Sequence, residues 1–67
     1  MSTIQLNGKP YPVVAAHSVR DLVDELDLGN RRYAIEINGS LVPRSTYAQH
    51  RLVKNDQVEI VQAIGGG

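Results

Sequence analysis

The 67-residue chain has no cysteine, which removes disulfides and thiolate metal ligands from the chemistry available to it. Small secreted domains are typically rich in disulfides, so this absence favours a cytoplasmic protein. No segment approaches the roughly 18 apolar residues of a membrane span. The first residues also lack the basic and apolar regions of a signal peptide. We therefore expect no membrane association.

Phenylalanine and tryptophan are absent as well, and the formal net charge is zero. Few aromatic rings remain on which nucleic-acid bases could stack. Seven acidic side chains balance seven basic ones, so the chain as a whole has no electrostatic attraction for a phosphate backbone. These two absences argue against binding to nucleic acid.

Patterns typical of catalytic and metal sites are missing too. His17 and His50 stand far apart, outside any metal-ligand or nucleophile–base spacing, and we predict surface or capping roles for both. The acidic residues between positions 21 and 27 are expected to form a solvated helix face. No glycine-rich loop joins a strand to a helix, as a nucleotide site would require. The sequence thus predicts a protein that is not an enzyme and binds no metal or cofactor.

The first third of the chain predicts a β-hairpin. Residues 3–7 alternate between apolar and polar side chains, which is the strand period. The Asn7-Gly8 pair that follows is a strong hairpin-turn signal. The returning strand contains Pro10 and Pro12, which cannot donate backbone hydrogen bonds, so we expect it at an edge of the sheet.

Residues 18–28 predict the one clear helix. Its apolar side chains follow the i, i+3, i+4, i+7 pattern of a helix with one buried face: Val19, Leu22, Val23 and Leu26. Ser18 is a favourable N-cap, and Asp21 completes a pair resembling a capping box. We expect Gly29-Asn30 to end the helix, as a glycine C-cap does.

The second half of the chain predicts three more strands. Residues 32–39 alternate, and Asn38-Gly39 predicts a second hairpin whose return strand is residues 40–43. Residues 43–56 are mixed and polar and are expected to form a loop with one helical turn, in which Leu52 and Val53 are buried. Residues 57–64 are apolar on both faces, which is typical of a central strand.

The resulting order, β-β-α-β-β-β, predicts an α+β fold with one helix packed on one face of a mixed sheet of four to five strands. The ubiquitin-like β-grasp arrangement fits this order. We expect a single domain over residues 1–64 and a flexible glycine tail over residues 65–67. The predicted core is Ile4, Leu6, Val13, Val19, Leu22, Val23, Leu26, Ile35, Ile37, Leu52, Val58 and Ile60.

The chain ends in three glycines, 65–67, which could pass a constriction that excludes side chains. Extended, three residues reach about 10 Å, enough to place the terminal carboxylate inside a partner's cleft. A carboxylate is a poor electrophile at neutral pH, but attachment to AMP would supply a good leaving group for a sulfur nucleophile. A glycine run at a chain end is also typical of a disordered terminus, so the tail by itself leaves both interpretations open.

Four segments together resemble the sulfur carrier family of thiamin biosynthesis, a group of bacterial ubiquitin-like proteins. The segments are IQLNG at 4–8, SVRDLVDELDL at 18–28, YAIEINGSLVPRS at 33–45 and DQVEIVQAIGGG at 56–67. The resemblance covers essentially the whole chain. One departure is Asn55, where the family commonly has glycine, and asparagine also tolerates a left-handed turn.

The resemblance implies that the Gly67 carboxylate is adenylated with ATP by an activating enzyme related to those for ubiquitin. It implies a C-terminal thiocarboxylate, sulfur supplied by a cysteine desulfurase or another donor, and a thiazole synthase that takes the sulfur. Gly66 and Gly67 match the family's terminal pair, and Gly65 adds slack. A monomer is expected when the protein is free. The residues expected to bind the partner are Gly65, Gly66, Ile64, Ala63, Val61 and Arg44, although packing under a loop would explain Val61 and Ile64 as well.

Three alternatives stay open from the sequence. The small subunit of molybdopterin synthase is also a β-grasp carrier ending in Gly-Gly. A protein-conjugating modifier would join its tail to a lysine. A non-catalytic ubiquitin-like interaction domain would use the body of the fold and leave the tail without a role.

Overall fold

A computed structural model describes residues 2–28 and 31–62 of the chain. The elements follow the predicted order β-β-α-β-β-β, with one short 3-10 turn before the last strand. They are β1 Ser2–Leu6, β2 Lys9–Val13, α1 Val19–Leu26, β3 Tyr33–Ile37, β4 Ser40–Val42, the 3-10 turn Arg44–Thr46 and β5 Gln57–Gln62.

The five strands form one mixed sheet in the order β2-β1-β5-β3-β4. β1 and β5 run parallel, and the other neighbouring strands are antiparallel. The last strand lies in the middle, as its two-sided apolar pattern predicts, and the strand with Pro10 and Pro12 lies at an edge. This arrangement, with one helix, is the ubiquitin-like β-grasp fold.

The asparagines of the two hairpin turns also hold the central strand β5. Asn7 and Asn38 both have positive φ, at 50° and 53°, as the first position of such turns requires. The Asn7 Oδ1 accepts a hydrogen bond from the backbone N–H of Ile60 at 2.8 Å. The Asn38 Oδ1 accepts one from the N–H of Gln57 at 2.9 Å. Each turn is therefore hydrogen-bonded to β5, which is distant from it in sequence.

Helix α1 starts with the predicted capping box. The Ser18 Oγ accepts from the Asp21 N–H at 3.1 Å, and the Asp21 Oδ2 accepts from the Ser18 N–H at 3.0 Å. The hydrogen bond from the Ser18 N–H, together with a smaller contribution from the Ser18 hydroxyl, lowers the pKa of the Asp21 carboxyl. The predicted end of the helix was wrong: Asp27 is the C-cap, in the left-handed conformation with φ of 52°. A short polar side chain tolerates that conformation, so no glycine is needed there.

Replacing Ser18 with alanine is expected to lower the free energy of unfolding by about 1 kcal/mol, because the Asp21 N–H loses its acceptor. Urea unfolding of S18A against the wild type measures the change. The matched control is S45A, because Ser45 is exposed on the 3-10 turn. Equal losses in the two variants would contradict a capping role for the Ser18 hydroxyl.

The core lies between α1 and the inner face of the sheet, and nine of the predicted residues are buried in it. They are Ile4, Val13, Val19, Leu22, Val23, Ile35, Ile37, Leu52 and Val58. Leu6, Leu26 and Ile60 pack against this core but are only partly buried. The prediction omitted Leu28, Val42 and Tyr47, which are buried too. The predicted burial of Val53 was wrong: beside the buried Leu52, its side chain is 58% exposed. Tyr47 belongs to the segment read as a polar loop, and its burial raises the pKa of its phenol.

His17 is buried, with 6% of its surface exposed, so the prediction of a surface position was wrong. Its Nε2 lies 3.0 Å from the Glu25 Oε2, although it is not aligned for a good hydrogen bond. The Tyr11 hydroxyl donates to the Glu25 Oε1 at 2.8 Å, and this hydrogen bond raises the pKa of Tyr11. Glu25, near the end of α1, therefore contacts both Tyr11 of β2 and His17, the residue before the N-cap. His50 does have a capping role, through its carbonyl, which accepts from the Val19 N–H at 2.9 Å.

Candidate functional site

The predicted site at Ala63, Ile64, Gly65, Gly66 and Gly67 lies outside the described residues, so these five assignments stay predictions. The structure establishes where the last residues of the chain are attached. β5 ends at Gln62, which pairs with Tyr33 of β3. The parallel pairing of β5 with β1 covers only Gln57 and Val58. The tail is therefore attached to the part of the central strand that extends past the end of β1.

An apolar cleft of about 610 Å³ lies beside this attachment point. Leu6 from β1, Leu26 from α1 and Ile60 from β5 contribute to its walls, together with Leu28 after the helix. Asn7, Val61 and Gln62 complete the lining. The incomplete burial of Leu6, Leu26 and Ile60 follows from this position at the open end of the core. The sequence pattern did not reveal the cleft, because the apolar residues that line it also satisfy the periodicity of a core.

Val61 is exposed on the face of the sheet that the helix does not cover. Its register partner is Ala34, and the neighbouring residue Ile35 is buried under the helix, so Ala34 and Val61 extend from the opposite face. The exposed fraction of Val61 is 51%. Packing under a loop is therefore not the explanation for Val61. A groove formed by Arg32, Tyr33, Ala34, Val61 and Gln62 lies next to it.

Arg44 is held against Tyr33 instead of lying directly beside Val61. Its guanidinium carbon is 4.4 Å from the centre of the Tyr33 ring, a cation–π arrangement. Its Nη2 also donates to the Tyr33 carbonyl at 3.2 Å. Arg44 lines a polar depression with the end of α1, whereas Val61 lines the groove on the other side of Tyr33. Tyr33 belongs to both, so the two predicted docking residues flank one aromatic side chain.

The charges near the helix are partly paired within the chain. Arg20 and Asp24, one helical turn apart, approach to 3.5 Å, and both are well exposed. Such surface pairs contribute little to stability.

Within residues 2–28 and 31–62, no three histidine, aspartate or glutamate side chains form a group that could hold a metal ion. Across the same residues, no helix has the length and apolar character needed to cross a membrane.

The sequence pattern of the ThiS family matches residues 4–67, which includes the terminal glycines. The chain belongs to the ThiS family. The sulfur carrier protein ThiS of Escherichia coli (strain K12) is 34% identical over 64 residues, covering 96% of this chain and 97% of that protein. This ThiS-family chain is accordingly a sulfur carrier of thiamine biosynthesis, a carrier and not a catalyst.

A solved structure supports the same conclusion for this ThiS-family chain. The crystal structure of the thiamine biosynthesis protein (ThiS) from Geobacter metallireducens superposes with a TM-score of 0.79 at 28% identity. The match covers 97% of this chain and 99% of that one. These matches confirm the predicted family and favour it over the molybdopterin synthase subunit and the passive interaction domain.

A larger relative is the thiazole synthase of Paramagnetospirillum magneticum, which is 40% identical over 62 residues. The aligned segment is 92% of this chain but only 19% of the thiazole synthase. A ThiS-like segment therefore forms a minor part of a longer chain in that organism.

Proposed function

We propose that this chain carries sulfur as a thiocarboxylate on Gly67 and delivers it to a thiazole synthase. The observation that supports this proposal most directly is the family match, which extends to Gly67 in a chain without cysteine. Without a thiol the chain cannot hold sulfur as its own persulfide, so the terminal carbonyl is the position left for it.

Activation is required before sulfur can enter. An α-carboxyl group has a pKa of about 3.3–3.7, so at neutral pH the Gly67 carboxylate is an anion and a poor electrophile. In the proposed step a carboxylate oxygen attacks the α-phosphorus of ATP, and pyrophosphate leaves. A persulfide sulfur on a cysteine desulfurase or another donor then attacks the acyl carbon and displaces AMP. A thiol reductant cleaves the S–S bond of the resulting acyl disulfide, which leaves the thiocarboxylate on Gly67 and the donor and reductant sulfurs as a disulfide. The enzyme that adenylates Gly67 would be a ubiquitin-activating-like adenylyltransferase, and the location we propose for these steps is the cytoplasm.

The structure supports separate roles for the folded body, which would dock on the partner, and the tail, which would carry the reacting carboxylate. Five residues, 63–67, follow the end of β5, and an extended segment of that length reaches roughly 17 Å. The body can therefore stay outside a partner's cleft while Gly67 reaches the reacting groups. Docking energy would come from the surface near Val61 and from Arg44 and Tyr33, continued by Ala63 and Ile64 of the tail.

The partnership with a thiazole synthase is supported by relatives in which both parts occur in one chain. Thiazole synthases of Paramagnetospirillum magneticum and Magnetococcus marinus each contain a segment similar to nearly all of this chain. Two activities joined in one polypeptide commonly act on the same intermediate.

Intact mass spectrometry tests the proposed function. The full chain is incubated with ATP, the host's activating enzyme and a sulfur source, and the C-terminal peptide is then isolated. We expect a mass gain equal to replacing one oxygen by sulfur, confined to that peptide and absent without ATP. The proposal fails if the mass is unchanged while the same enzyme preparation activates another carrier. A lysine conjugate would instead indicate a protein modifier.

A further inference from the structure

The face of the sheet opposite the helix contains two glutamates that lie directly opposite each other. Glu36 of β3 and Glu59 of β5 are partners in the antiparallel register. Their neighbours in that register are Ile35 with Ile60 and Ile37 with Val58, which face the helix. Because side chains alternate along a strand, Glu36 and Glu59 both extend from the open face.

This pair is unfavourable for the isolated domain. Residues directly opposite each other across strands have Cβ atoms roughly 4.5–5.5 Å apart, where like charges repel. Among the described residues neither carboxylate takes part in an ion pair, and no side-chain hydrogen bond reaches either one. Arg32 is the nearest cation on this face by strand position, four residues before Glu36, or roughly 13 Å away.

Exposed apolar side chains flank the acidic pair. Leu41 of β4 is the register partner of Glu36 on its other side and is 66% exposed. Val61, two residues after Glu59 and therefore on the same face, is 51% exposed. Leu41 and Val61 account for two of the four large hydrophobic residues exposed among those described. The open face thus combines a negative centre with exposed apolar neighbours, and charge complementarity would select a partner that brings a positive side chain to this centre.

We propose that the Glu36–Glu59 pair receives an arginine or lysine side chain of a partner protein whose surrounding surface is apolar and contacts Leu41 and Val61. A cation between the two carboxylates would replace their repulsion by two attractive contacts, so its effect on affinity would be large for a single side chain. The pair also lies close to the tail, because Glu59 is three residues, or roughly 10 Å, before Gln62. The partner that binds the tail can therefore reach this face at the same time.

The partner we assign to this surface is the activating enzyme, and that assignment rests on the proposed function. The test compares the E36Q/E59Q variant with the wild type in calorimetric binding to that enzyme, at low and high salt. We expect the variant to bind at least about tenfold more weakly and to lose part of the salt dependence, because charge-assisted contacts are removed. Urea unfolding should show equal or greater stability of the variant, because the repulsion is gone.

The matched control is E36D/E59D, which changes the same two positions but keeps both negative charges. The proposal is overturned if E36Q/E59Q binds like the wild type, or if both double variants lose affinity equally. The charge-reversed variant E36K/E59K should bind more weakly still, and wild-type affinity in that variant would also overturn it. Thiocarboxylate formation by the wild type is measured in parallel by mass spectrometry. If the wild type is loaded while E36Q/E59Q binds normally, the docking proposal fails and the proposed function stands.

Discussion

Deleting Gly66 and Gly67 is expected to abolish sulfur loading while leaving the domain folded. In the proposed reaction the acyl carbon of Gly67 is the only atom that accepts sulfur. Without these two residues the new terminus would be Gly65, set back by roughly 7 Å from the adenylating site. The β-grasp body should not be affected, because all strands and buried core residues among the described ones lie before residue 63. The measurements are intact mass after incubation with ATP and the activating enzyme, and urea unfolding.

A one-residue deletion provides the control. Removing Gly65 alone shortens the tail but keeps the Gly-Gly terminus, so loading should persist at a reduced rate if Gly65 supplies slack. Loading of the chain that lacks Gly66 and Gly67 would contradict a role for the terminal pair. Complete loss in both variants would mean that tail length, as well as the terminal pair, determines loading.

Replacing Leu22 with alanine is expected to lower the free energy of unfolding by about 2.7–5 kcal/mol. Leu22 is fully buried where α1 packs on the sheet, so the truncation removes apolar contacts and leaves a cavity. A chain of this size has a total stability of about 3–10 kcal/mol. The single change would therefore remove a large part of that stability, and a clearly lower midpoint of urea unfolding is the expected result. Urea unfolding followed by circular dichroism measures it.

Leu41 allows the same substitution at an exposed position. L41A should change the free energy of unfolding by no more than about 0.5 kcal/mol, because the side chain is 66% exposed. The difference between L22A and L41A then reports burial and not the intrinsic effect of alanine. Similar losses in the two variants would contradict the packing of α1 described above.

The sequence by itself determined the features that depend on neighbours along the chain. Two Asn-Gly pairs predicted both hairpins, since few other residues adopt positive φ easily. The apolar spacing after Ser18 predicted the helix and its buried face, and the two-sided pattern of the last strand predicted its central place. The terminal glycines and the segments around them indicated the family. Each of these signals is local, so it can be recognised without knowing which strands pair.

The tertiary structure alone decided what depends on register and on contacts between distant segments. That Glu36 lies opposite Glu59 follows from the pairing of β3 with β5, which no periodicity specifies. His17 is buried where Glu25 of α1 approaches its ring and the Leu52 N–H donates to its carbonyl, although its sequence neighbours resemble a surface loop. Arg44 lies over Tyr33 because the 3-10 turn brings it there. The physical reason is common to all: contacts between segments far apart in sequence form only when the sheet and the helix pack together.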